Sequence, residues 1–141
     1  NQLQIQRGLK MIMAQGKRKI GILGFSFKAG TDDLRESPIV DVIEALIGKG
    51  YQLKLYDKNV SLASITGSNR DYILNHIPHI SRLMVENLDD IVADSEVLVI
   101  GNGAAEFKDV LSRIKPGQVV IDLVRIGKGR SEAGRYEGIC W

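Results

Sequence analysis

The chain has 141 residues, of which 44% are hydrophobic and 26% charged, and a formal net charge of +2. That length reads as one domain with one core, the small charge gives no electrostatic footprint for nucleic acid, and no apolar run reaches the ~18 residues that span a bilayer. Its single cysteine excludes a disulfide within the chain, and no basic cluster leads into an apolar core near the start, so the expectation is a cytoplasmic protein without membrane attachment.

Residues 1–15 place Ile5, Leu9, Ile12 and Met13 at offsets of four, seven and eight among polar side chains, which is the pattern of an amphipathic helix. No Ser, Asp or Pro marks its start, so it reads as the end of a longer helix in a longer protein. Gly16-Lys17-Arg18 closes it, and Lys19-Ile20-Gly21-Ile22-Leu23 reads as the first strand. The loop Gly24 to Pro38 follows, with two cations, Lys28 and Arg35, and three acids, Asp32, Asp33 and Glu36. Such a loop is longer and more charged than the ~2–6 residues of an ordinary strand-to-helix connection. Its glycines, Gly21-x-x-Gly24 and then Gly30, match neither a dinucleotide fingerprint nor a Walker loop.

Ser37 and Pro38 supply an N-cap and a first helical residue. Ile39, Val42, Ile43, Leu46 and Ile47 make an apolar helical stripe that stops at Lys49-Gly50. A strand at 52–56 ending in Asp57 completes a βαβ unit. Residues 59–69 are polar with turn formers, 70–77 read as a short helix closed by Pro78, and 79–85 fit neither period. Asn87 caps a short helix with Leu88, Ile91 and Val92, and the run to Ile100 reads as a strand buried on both faces. After Gly101-Asn102-Gly103, a stripe of Phe107, Val110, Leu111 and Ile114 predicts another helix, and 118–121 a strand ending at Asp122. The order predicts an α/β fold, a doubly wound, Rossmann-like parallel sheet over 18–126, preceded by a helix end at 1–17 and followed by a basic, glycine-rich tail at 127–141.

Taken by themselves, Lys28 and Arg35 fit a solvated loop paired with its own acids. Asp57 stands where a dinucleotide fold holds a ribose, but behind a degenerate glycine loop it is expected to cap a strand end. His76 and His79 flank Pro78 with no third ligand, so no metal site is expected.

The segment Gly24-Phe25-Ser26-Phe27-Lys28 through Asp32-Asp33-Leu34-Arg35-Glu36-Ser37-Pro38 closely resembles the nucleotide-sugar 6-dehydrogenases, the UDP-glucose/GDP-mannose dehydrogenase family. The resemblance covers nearly the whole chain, lies in the family's C-terminal domain, and is strongest to its GDP-mannose branch, which belongs to alginate biosynthesis. It implies oxidation of GDP-mannose to GDP-mannuronate, a four-electron reaction with NAD used twice. It further implies an N-terminal NAD-binding domain of the same protein, a nucleophilic cysteine upstream of this chain, and a homodimer. Catalytic residues are expected to lie outside this stretch; Cys140, next to the end, does not match the nucleophile's place.

Carried over by position, Phe27 and Lys28 match the family's substrate-binding pair and Arg35 its NAD-contacting arginine. Arg125 falls close to a substrate-binding arginine of the UDP-glucose relatives, in a register one residue longer. An ammonium on a flexible stem suits a substrate anion, and a guanidinium clamps a pyrophosphate with two parallel hydrogen bonds. The alternatives are the same domain of a UDP-glucose 6-dehydrogenase and a nucleotide-binding module without chemistry. A further possibility, compatible with all of these, is that the stripe on the first helix serves assembly.

Overall fold

A computed structural model describes residues 2–16, 19–25, 38–58, 78–124 and 135–138. In chain order these are α1 (Gln2–Met13), β1 (Ile20–Leu23), α2 (Pro38–Gly48), β2 (Leu53–Tyr56), α3 (Pro78–Ser81), α4 (Leu88–Asp94), β3 (Val97–Ile100), two short 3₁₀ segments (Ala105–Phe107 and Asp109–Arg113), β4 (Val119–Asp122) and β5 (Arg135–Gly138). The five strands form one sheet in the order β2-β1-β3-β4-β5, and every pair is parallel.

Alternation along the strands divides the interior into two layers. Ile20, Ile22, Leu53, Leu55, Val97, Val99, Val119 and Ile121 point to one face, where Ile39, Val42, Ile43 and Leu46 of α2 and Ile12 of α1 cover them. Leu23, Tyr56, Leu98, Ile100 and Val120 point to the other, beneath Ile91 and Val92 of α4 and Phe107, Val110 and Ile114. Both faces are therefore covered, which is why the strands read as unbroken apolar runs, and the doubly wound sheet expected from the sequence is the observed fold.

The helix ends follow the punctuation in the sequence. Gly16, at φ 81°, closes α1, its N–H reaching the Met13 carbonyl at 3.0 Å. Gly50, at φ 84°, follows α2, and the Tyr51 N–H returns to the Leu46 carbonyl at 3.1 Å, as in a Schellman motif. The Asn87 side chain accepts from the N–H groups of Asp89 (2.8 Å) and Asp90 (3.3 Å) to cap α4. The stripe of α1 packs against its own domain: Ile12 is fully buried, with Ile5, Leu9, Met11 and Met13 partly buried beside it.

Three features depart from the sequence reading. The ambiguous stretch 79–85 forms α3 and then a one-residue parallel bridge from Met84 to Leu55, with the Val85 N–H on the Leu55 carbonyl at 2.8 Å. Counting that bridge as a strand, the order becomes 3-2-1-4-5-6, that of the dinucleotide-binding folds. The helix expected around Phe107 is instead two 3₁₀ segments; Phe107 and Val110 lie three apart, a spacing that suits three residues per turn as well as 3.6. The supposed tail contributes an edge strand, β5, paired with β4. Four residues that include one strong β-former and a terminal glycine carry too little pattern to announce a strand. The expected helix at 70–77 lies outside the described residues.

Candidate functional site

The chain leaves β1 toward α2 on one face of the sheet and leaves β3 toward the 3₁₀ segments on the other. β1 and β3 are neighbours, so their carboxyl ends flank the crevice that forms where such connections diverge, the usual ligand position in an open α/β sheet.

Close backbone approach defines this edge. The Gly24 N–H donates to the Tyr56 carbonyl at 2.7 Å, and the Gly101 N–H to the Leu23 carbonyl at 2.8 Å. Gly24 has φ +83°, and a β-carbon on it would lie 2.5 Å from Oδ1 of Asn102. A β-carbon on Gly101 would lie 2.1 Å from the Gly24 carbonyl oxygen and 2.9 Å from Ile39, near the start of α2. Only glycine fits at either position. Gly101 therefore serves the close approach of its backbone to Gly24 and Ile39.

Side chains then tie three loops together. Asp57, buried at the end of β2, uses Oδ2 to accept from the Phe25 N–H at 3.0 Å and from the Asn102 side-chain amide at 3.3 Å. The Asn102 carbonyl oxygen accepts from the Ala104 N–H at 3.2 Å. One amide thus donates to a carboxylate and accepts from a backbone N–H, satisfying both ends of a buried side chain. One residue earlier, the Tyr56 hydroxyl donates to Glu106 at 3.2 Å, and its ring meets Phe107 edge-on at 6.2 Å. Burial, and after it the Glu106 charge, push the Tyr56 hydroxyl up to about 12, so it stays a neutral donor. Asp122, also buried, accepts from the Val124 N–H at 3.0 Å.

Of the sequence-derived site residues, Phe27, Lys28, Arg35 and Arg125 all lie outside the described residues, as do Cys140 and His76. The structure describes the chain on either side of them, at Phe25, Pro38 and Val124. Asp57 holds a strand end, as expected, and it does so by gripping Phe25, the second residue past β1. Asn102 was missed as more than a loop residue, and its only sequence signal is an amide between two glycines at a strand end. His79 lies 3.6 Å from Glu44 on the surface. Among the described residues no three His, Cys, Asp or Glu side chains converge as a metal site would require.

The opposite edge of the sheet has a surface pocket of about 310 Å³ lined by Lys19, Ile20, Gln52, Leu53, Lys54, Asp94 and Ser95. Asp94 pairs there with Lys54 at 2.7 Å and Lys19 at 3.7 Å, all three well exposed. The hydrogen bond from Lys54, and then the two ammonium charges, hold the Asp94 carboxyl below its usual range. This pocket lies at the amino ends of the strands, away from the crevice.

Residues 21–128 match the UDP binding domain of the UDP-glucose/GDP-mannose dehydrogenase family. The chain belongs to that family. It is 48% identical to the GDP-mannose 6-dehydrogenase of Pseudomonas aeruginosa over 141 residues, all of this chain and 32% of that protein. It is equally similar, at 48% over the same share, to the GDP-mannose 6-dehydrogenase of Azotobacter vinelandii. In three dimensions it superposes on the crystal structure of a ternary complex of the Pseudomonas aeruginosa GDP-mannose dehydrogenase with a TM-score of 0.90 and 46% identity, again over the whole of this chain and 32% of the other. A UDP-glucose dehydrogenase from Pyrobaculum islandicum, at 24% identity over the whole of this chain and 30% of its own, shares the fold with a TM-score of 0.72. The chain thus spans about a third of the length of these relatives.

Proposed function

We propose that this chain is the nucleotide-sugar-binding domain of an NAD-dependent GDP-mannose 6-dehydrogenase. The complete protein would convert GDP-mannose, water and two NAD⁺ to GDP-mannuronate, two NADH and three protons, supplying the uronate for alginate. The observation that carries this reading is the similarity over the entire chain, in sequence and backbone, to GDP-mannose dehydrogenases. In this reading Phe27, Lys28 and Arg125 meet the nucleotide sugar, and Arg35 reaches NAD held by an N-terminal domain. The first turn of this sheet is a poor dinucleotide cradle: the Asn102 side chain packs on Gly24, and Asp57 faces the chain's own Phe25 N–H and Asn102 amide. NAD would supply the hydride acceptor from elsewhere, and this domain would bind and orient the sugar nucleotide. The protein would work in the cytoplasm as a homodimer.

The test is NADH production by the full-length protein with GDP-mannose and with UDP-glucose under the same conditions. The expected result is turnover of GDP-mannose, with kcat/KM for UDP-glucose lower by at least about a hundredfold, the discrimination that a site hydrogen-bonded to one base can reach. Equal or better use of UDP-glucose would replace the assignment with the UDP-glucose branch, and absence of turnover with either sugar would favour a binding module.

A further inference from the structure

We propose that Asn102 is a positioning residue for nucleotide-sugar binding, acting through Asp57 on the point where the chain leaves β1. This inference rests on the functional reading above and adds a residue to it from the far side of the crevice.

Phe25 is the last described residue before Phe27 and Lys28. Its fully buried side chain lies in the core, and its N–H is held by Oδ2 of Asp57. That same oxygen takes the Asn102 amide, so the loop after β3 contributes to the direction of the Asp57 carboxylate. The Ala104 N–H holds the other end of the Asn102 amide. A second contact from the same loop, Glu106 to the Tyr56 hydroxyl, fixes the residue next to Asp57. The Asn102 side chain also lies against the α-carbon of Gly24, the residue whose φ of +83° turns the chain out of β1. The loop after β3 is therefore a wall and an orienting donor for the start of the charged loop. An amide is the group suited to this place: aspartate would set a second carboxylate about 3 Å from Asp57, where like charges disfavour joint ionisation.

The experiment uses the full-length enzyme with Asn102→Asp and Asn102→Ser. The first keeps the side chain's shape and its acceptor for the Ala104 N–H but replaces the neutral amide donor to Asp57 with a second ionisable carboxyl; the second is shorter and draws its polar group back from Asp57. For whichever variant folds, KM for GDP-mannose should rise about tenfold, the scale of one hydrogen bond to a charged group, while kcat and KM for NAD change less than about twofold. A folded variant with a lowered melting temperature and an unchanged KM for GDP-mannose would overturn the positioning role and leave Asn102 a structural residue. If the wild-type enzyme does not turn over GDP-mannose, the functional reading fails, and this inference with it.

Discussion

The two edges of the sheet use charge in opposite ways. At the carboxyl edge, Asp57 and Asp122 are 3% and 0% exposed, and each accepts from a backbone N–H, Asp57 from Phe25 in the loop after β1 and Asp122 from Val124 two residues further along its own chain. At the amino edge, Asp94 is bracketed by two lysines on an open surface. Buried carboxylates that accept backbone hydrogen bonds fix geometry, because removing a partner leaves a desolvated charge uncompensated. Exposed pairs sit in high dielectric, bear the entropy of two long side chains and are screened by salt. A pocket and a cluster of lysines are thus weaker pointers to function here than a crowded, glycine-lined corner where three loops meet.

The sharpest way to break this comparison is at the glycines. Gly101→Ala forces a β-carbon to within 2.1 Å of the Gly24 carbonyl oxygen, and the shift of both loops should cost about 3 kcal/mol in chemical denaturation. Gly48→Ala, at the end of α2 where nothing lies within 4 Å, should change stability by less than about 1 kcal/mol and in the stabilising direction. Similar losses for both would mean that the corner is not crowded. The smallest effect belongs to the amino edge. Lys54→Ala removes the leading cause of the lowered Asp94 carboxyl. A carboxyl whose folded pKa is depressed adds stability above its unfolded value and loses it as pH falls through the folded one, so the difference between wild type and Lys54→Ala should begin to shrink as pH falls below 3.8 and vanish once it is below the folded value. It should also fade with added salt; a large, salt-insensitive loss would contradict the contrast between the edges.

Much of the architecture was legible because local and global signals agree. The stripe of α2 with its Lys49-Gly50 stop, the Asn87 cap and the Val-Leu-Val-Ile strand each state their element unambiguously, and the structure has all three. β5 and the Met84 bridge were not legible, since both are held by main-chain pairing to a neighbour and carry almost no side-chain pattern. For the site, position alone identified Asp57 as a strand-end anchor. Asn102 escaped because its role exists only after β2 and β3 are brought to either side of β1, juxtaposing residues 45 apart in sequence. Lys28 and Arg35 drew notice through charge density, and a family resemblance gave each of them a ligand.

In the function proposed above, Lys28, three residues beyond Phe25 in sequence, binds an anion of the sugar nucleotide. Calorimetric titration of GDP-mannose into the full-length protein and its Lys28→Ala and Arg35→Ala variants tests it most directly. Lys28→Ala should weaken GDP-mannose about tenfold or more, the loss of one charge-assisted hydrogen bond, and Arg35→Ala should leave GDP-mannose nearly unchanged and weaken NAD. Equal GDP-mannose affinity in wild type and Lys28→Ala would contradict it.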